Sequence, residues 1–99
     1  MKTVFTLEAL EDLQRIGDHI AEDNPRRAGR FVDELVNAAS EIALSPMAYP
    51  LVPRYADLGI RRRVYGRYLL FYRAEPDQVT LIHVLHGARD YDALLFPDA

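Results

Sequence analysis

Arg61-Arg62-Arg63-Val64-Tyr65-Gly66-Arg67-Tyr68-Leu69-Leu70-Phe71-Tyr72-Arg73 is the stretch on which the fold turns. Aromatic, aliphatic and β-branched residues crowd both sides of Tyr65-Gly66-Arg67, which has the make-up of a tight reversal. Strands are therefore expected at Arg61–Tyr65 and Tyr68–Arg73, with a third at Gln78–His86 beyond a second reversal at Ala74-Glu75-Pro76-Asp77. Three strands joined by turns this short form an antiparallel meander. Strict alternation places Tyr68, Leu70 and Tyr72 on one face and Leu69 and Phe71 on the other. In the third strand it groups Val79, Leu81, His83 and Leu85 against Ile82 and Val84.

Upstream the period is helical. Lys2-Thr3-Val4-Phe5 reads as a short strand, and Thr6 can cap a helix whose first turns carry Glu8, Glu11 and Asp12 near the positive end of its dipole. Leu10, Leu13, Ile16 and Ile20 recur at helical spacing and define its apolar side. That helix stops around Glu22-Asp23-Asn24, and Asn24-Pro25 starts another, with Asn as cap and Pro at the first helical position. Ala28, Phe31, Val32, Leu35, Ala38, Ala39 and Ile42 form the second stripe, and Ser45-Pro46 ends it. So tight a connection makes the two helices an antiparallel hairpin. Pro46, Pro50 and Pro53 stiffen the segment up to Gly59. The order β-α-α-β-β-β implies one α+β domain over residues 1–99, with the helical hairpin on one face of a mostly antiparallel sheet. Both sheet faces are apolar, yet one hairpin covers one face. Either the Pro-rich loop and Leu94-Leu95-Phe96 close the second face, or a partner segment does.

Composition narrows the function classes. Apolar residues are 49% and charged residues 27% of the 99, a globular balance, and there is no cysteine for a disulfide or a thiolate metal site. No signal peptide and no apolar run of membrane-spanning length is visible, so a cytoplasmic protein without a membrane partner is expected. The net charge is −3, but Arg54 to Arg73 holds six arginines and one acid, Asp57. That cluster suits an acidic partner through the forked geometry of guanidinium groups, while the acidic remainder argues against direct nucleic-acid binding. No phosphate loop, nucleophile elbow or Ser/His/Asp set is present. His83 and His86, three apart on a strand, should point to opposite faces. His83 is expected to be a hydrogen-bonded structural residue, His86 to shape the strand end, and His19 to lie on the first helix surface. No metal site or cofactor is expected from three scattered histidines.

Three segments together resemble the ParE branch of the ParE/RelE toxin superfamily. Ala9-Leu10-Glu11-Asp12-Leu13-Gln14-Arg15-Ile16 with Ile20-Ala21-Glu22-Asp23-Asn24-Pro25 is similar to its first-helix signature. Gly59-Ile60-Arg61 with Gly66-Arg67-Tyr68-Leu69-Leu70-Phe71-Tyr72-Arg73 is similar to its central hairpin, and Val84-Leu85-His86-Gly87-Ala88-Arg89-Asp90 to its terminal strand. The resemblance implies a RelE/ParE-like fold and a type II toxin, neutralised by a ParD-like antitoxin whose segment wraps the sheet. It leaves two targets. ParE-type members inhibit DNA gyrase by binding. RelE-type members cleave mRNA on the ribosome, using basic residues and a C-terminal Tyr or His as charge stabilisers and acid–base groups. Aligned on the RelE pattern, the central-strand arginine falls at Leu69 and the C-terminal tyrosine at or near Leu95, while Arg61 and Arg89 keep basic positions. Gyrase inhibition without a catalytic residue is the expected activity, and ribosome-dependent endoribonuclease is the alternative. Arg61, Arg67, Arg73 and Arg89, with Tyr68 and Tyr72, are the candidates for target or antitoxin contact. Arg62 and Arg63 should face opposite ways.

Overall fold

The computed structural model describes residues 1–87 of the chain. A short strand, β1 (Lys2–Phe5), leads into α1 (Leu7–Asp23) and α2 (Pro25–Ile42). A 3₁₀ segment at Pro53–Leu58 then precedes β2 (Ile60–Tyr65), β3 (Tyr68–Ala74) and β4 (Gln78–His86). The sheet order is β1-β4-β3-β2, with β1 parallel to β4 and the meander antiparallel.

The boundary residues act as their chemistry dictates. Thr6 Oγ1 accepts the Ala9 N–H at 3.1 Å and donates to the Ile82 carbonyl at 2.9 Å, so one hydroxyl starts α1 and ties it to β4. Asn24 closes α1 by donating its N–H to the Ile20 carbonyl, then opens α2 by accepting the Arg27 N–H at 3.1 Å. Pro25 occupies the first helical position, where a missing N–H loses nothing. Gly66, with φ of 59°, makes the β2–β3 reversal in the left-handed region that glycine enters without strain.

Leu13, Ile16, Leu35, Ala38, Ala39 and Ile42 pack on Leu70, Tyr72, Val79, Leu81 and Val84 to form the main core. At Gly17 the helices come so close that a Cβ would sit 3.2 Å from Val32 Cγ2. Leu10 departs from the expected stripe: it is 51% exposed, and Ala9 is the buried residue beside Leu13. Packed against the edge of β4, α1 buries the side through Ala9, Asp12, Leu13 and Ile16, rotated from the side that hydrophobicity alone selects.

Most of the second sheet face is covered by the chain's own loop among the described residues. Val52 and Tyr55 from the Pro-rich loop pack with Ile60, Leu69, Phe71 and Leu85, all buried. The cover stops short of Val64, which lies on the same face in register with Leu69 and is 59% exposed. Leu94, Leu95 and Phe96, the other expected cover, lie outside the described residues.

One irregularity in β4 changes which residues face the core. Phe71 pairs with His83 but Tyr72 pairs with Leu81, so Ile82 is an extra residue, a β-bulge. Beyond it the alternation is inverted. Val84, not Leu85, joins Val79 and Leu81 beneath the helices, and Leu85 and Ile82 pack in the second cluster. His83 is moved off the face of Val79 and Leu81 and lies in register with Phe71. A bulge leaves no hydropathy signature, so strict period-2 reading fails at this point.

Candidate functional site

Asp12 is the single charged side chain in the buried interior among the described residues, 2% exposed. It lies over the stretch of β4 that extends past the end of β1, where the strand has lost its parallel neighbour. Its Oδ2 accepts the Val84 N–H at 2.9 Å and meets His83 Nδ1 at 2.7 Å, while Oδ1 accepts from Arg15 Nη2 at 2.6 Å. The carboxylate thus replaces a missing strand for Val84. An ionised carboxylate can only accept, so His83 carries a proton on Nδ1. Burial alone pushes the Asp12 carboxyl up, but the bonds from His83, the Val84 N–H and Arg15 outweigh it and hold the group below its ordinary 3.8. His83 is thus the hydrogen-bonded structural residue expected of it, although its partner on α1 carried no sequence signal.

Next to this cluster, α1 and the adjoining ends of β3 and β4 line a half-open cavity of about 590 Å³. Ile16, Ile20, Tyr68 and Val84 supply apolar walls, and Arg15, Arg67, His19 and His86 supply nitrogen donors. The His86 ring stands edge-on to Tyr68, 5.3 Å between centroids, and Phe31 packs on the same tyrosine at 5.3 Å. His86 is in register with Tyr68 and His83 with Phe71, so the two histidines do face opposite ways. That separation denies them a joint acid–base role.

The six residues expected at a contact surface are not brought together. Arg67 and Tyr68 lie at the cavity, whereas Arg73 is exposed at the far end of β3, roughly 17 Å away at ~3.3 Å per strand residue. Arg61 is spent internally: its Nη1 donates to the Tyr49 carbonyl at 2.7 Å, clamping the Pro-rich loop. Tyr72 is fully buried and donates its hydroxyl to the Pro46 carbonyl at 2.5 Å, so it offers no surface to a partner. Burial pushes that phenol up to about 12. Arg89 lies outside the described residues. Arg62 and Arg63 face opposite ways, and Arg63 is the tied one, donating to the Ala38 carbonyl at 2.7 Å and to Glu41 Oε1 at 3.0 Å. Its guanidinium also lies over the Tyr49 ring. Two of the six arginines in the apparent patch, Arg61 and Arg63, are therefore fastenings between β2, α2 and the loop.

Two further surfaces carry exposed apolar side chains. Along β2, Val52 donates to the Ile60 carbonyl and Arg62 to the Pro50 carbonyl, so even-numbered residues turn their backbone groups outward. The loop stops there. Val64 follows the same alternation, and its side chain is 59% exposed. On the outer side of the hairpin, Leu10, Gly17, Ala21, Ala28, Gly29 and Val32 line a cleft of about 540 Å³. Leu10, 51% exposed, is the large apolar side chain it presents. Sequence reading missed this cleft because Leu10 was assigned to the core.

Among the described residues no group of His, Asp and Glu could hold a metal ion, and no helix is long and apolar enough to cross a membrane. The family described as ParE toxin of type II toxin-antitoxin system, parDE, matches residues 3–91. In backbone the chain is similar to a structure described as the chromosomal ParDE TA system from P. aeruginosa, with a TM-score of 0.73. That match covers 87% of this chain and 95% of that one at 18% sequence identity, a likeness of fold. No curated protein sequence matches the chain.

Proposed function

The chain belongs to the family of ParE toxins of type II toxin–antitoxin systems, and from that premise we propose that it inhibits DNA gyrase by binding and is silenced by a ParD-like antitoxin. The observation that carries the choice of target is Leu69. Where the RelE-like pattern would set its charge-stabilising arginine, Leu69 is 8% exposed among Val52, Tyr55, Ile60, Phe71 and Leu85. A cleavage site needs groups to stabilise phosphorane charge and move protons. An apolar cluster supplies neither. Arg61, the other retained base, is held by loop carbonyls.

Inhibition by binding asks only for exposed contacts, and Arg67, Arg73 and Tyr68 are the residues to supply them, with Arg89 from beyond the described part. In this reading the antitoxin docks at the hairpin cleft and at the outward edge of β2 around Val64, the part of the second sheet face that the Pro-rich loop leaves exposed. An apolar anchor seated beside Leu10 and a strand added at Val64 would be two separate points of recognition, to be joined by an antitoxin segment that passes around the domain. Arg67→Gln with Arg73→Gln in one chain, titrated into a gyrase supercoiling reaction, tests the target side. The expected result is inhibition weakened by about tenfold, the equivalent of losing one charged contact. Unchanged inhibition would remove both arginines from the target surface.

A further inference from the structure

The cavity beside Asp12 shares Arg67 and Tyr68 with the proposed gyrase contacts, while Arg15, Ile16 and Ile20 have no part in that reading. Its walls combine an apolar part and a basic part. Ile16, Ile20 and the Tyr68 ring form an apolar floor, and two guanidinium groups stand at it. Arg15 is held in place by Asp12 through one nitrogen, Nη2 at 2.6 Å, which leaves its other N–H groups to reach a ligand. Asp12 itself adds no uncompensated negative charge, because its two oxygens already take bonds from Val84, His83 and Arg15. Arg67 is exposed at the β2–β3 reversal and makes none of the ion pairs found among the described residues. A volume of about 590 Å³ lies within the ~300–1,000 Å³ of small-molecule sites.

We propose that this cavity binds a nucleotide phosphate ester, its planar base on Ile16, Ile20 and Tyr68 and its phosphate on Arg15 and Arg67. Guanidinium groups match phosphate oxygens through paired, charge-assisted bonds, and an aromatic wall accepts a base face without reading its identity. Inorganic phosphate would meet the arginines but leave the apolar floor in water. A nucleoside would do the reverse. Only the ester uses both halves of the cavity.

The test is titration of the ¹⁵N-labelled full chain, followed by amide chemical shifts, with AMP in one arm and a short 5′-phosphorylated oligonucleotide in the other. The expected result is saturable shifts at Arg15, Ile16, Arg67 and Tyr68, with adenosine and inorganic phosphate each binding about tenfold more weakly than AMP. Arg15→Gln and Arg67→Gln should each weaken AMP by about tenfold, while Arg73→Gln at the far end of β3 should bind as the parent does. If the oligonucleotide binds no tighter than AMP, the ligand is a free nucleotide. If it binds tighter, the ligand is a nucleic-acid end. Either outcome upholds the site. Non-saturating shifts spread equally over Arg62 and Arg73, phosphate binding as tightly as AMP, or both variants binding AMP unchanged would overturn it. Gyrase inhibition plays no part in this readout, so the two readings stand or fall separately.

Discussion

Replacing Asp12 by alanine tests the central joint of the fold. The Val84 N–H is buried, and stranding it without an acceptor costs about 1–3 kcal/mol. The contact from His83, also largely buried, goes to a charged acceptor and contributes on the order of 1.5–3 kcal/mol. Arg15 is 60% exposed and simply rehydrates, so it adds nothing to the sum. Against these losses stands the relief of no longer burying a carboxylate, which returns part of the total. The net expectation is a loss of about 3 kcal/mol, or roughly 12–24 °C in Tm for a domain of this length. Far-UV circular dichroism melts of parent and variant at neutral pH would measure it. The pH dependence has a definite sign. A carboxyl held below 3.8 in the fold contributes stability above that value and loses it as pH falls through the folded value. Parent and Asp12→Ala should therefore converge in acid. A loss under about 1 kcal/mol, the level of an exposed ion pair, would refute the claim that this carboxylate stands in for a strand.

Tyr72→Phe removes the hydroxyl bond to Pro46 and should cost about 1 kcal/mol in urea titrations. Because the folded phenol is raised from 10.0 to about 12, the unfolded chain ionises first and parent stability falls across that interval; the phenylalanine variant should decline less steeply there. Arg63→Met severs β2 from the C-terminal end of α2 and from Tyr49, with an expected loss of about 1–2 kcal/mol in the same titrations. Leu10→Glu changes an exposed residue, so thermal stability should hold within about 0.5 kcal/mol, while calorimetric affinity for the antitoxin falls by about tenfold or more.

Much of the fold is written locally. Thr6, Asn24-Pro25 and Ser45-Pro46 mark helix ends through caps and missing donors, and Gly66 marks the reversal, so element order and type are readable one turn at a time. What escapes is set by contacts distant in sequence. The bulge at Ile82 falls where β4 pairs with β3 on one side and meets Asp12 of α1 on the other, and neither contact shows in Gln78–His86 alone. Leu10 and Asp12 illustrate the same limit. Hydrophobicity selects the leucine for the interior, but the position of α1 over β4 buries the carboxylate, 71 residues from the histidine it binds. The arginine cluster was legible as charge and illegible as geometry. Its alternation sends Arg61 and Arg63 back to loop and helix carbonyls, where they fasten the structure, and leaves Arg67 and Arg73 outside.

The most direct test of the account is a paired assay, with one preparation of the chain added to purified gyrase on plasmid DNA and to a ribosome-dependent translation reaction. The account predicts blocked supercoiling, reversed by the antitoxin, with the mRNA left intact. Cleaved mRNA beside undisturbed supercoiling would contradict it, and would mean that catalysis is possible around Leu69 despite its apolar packing.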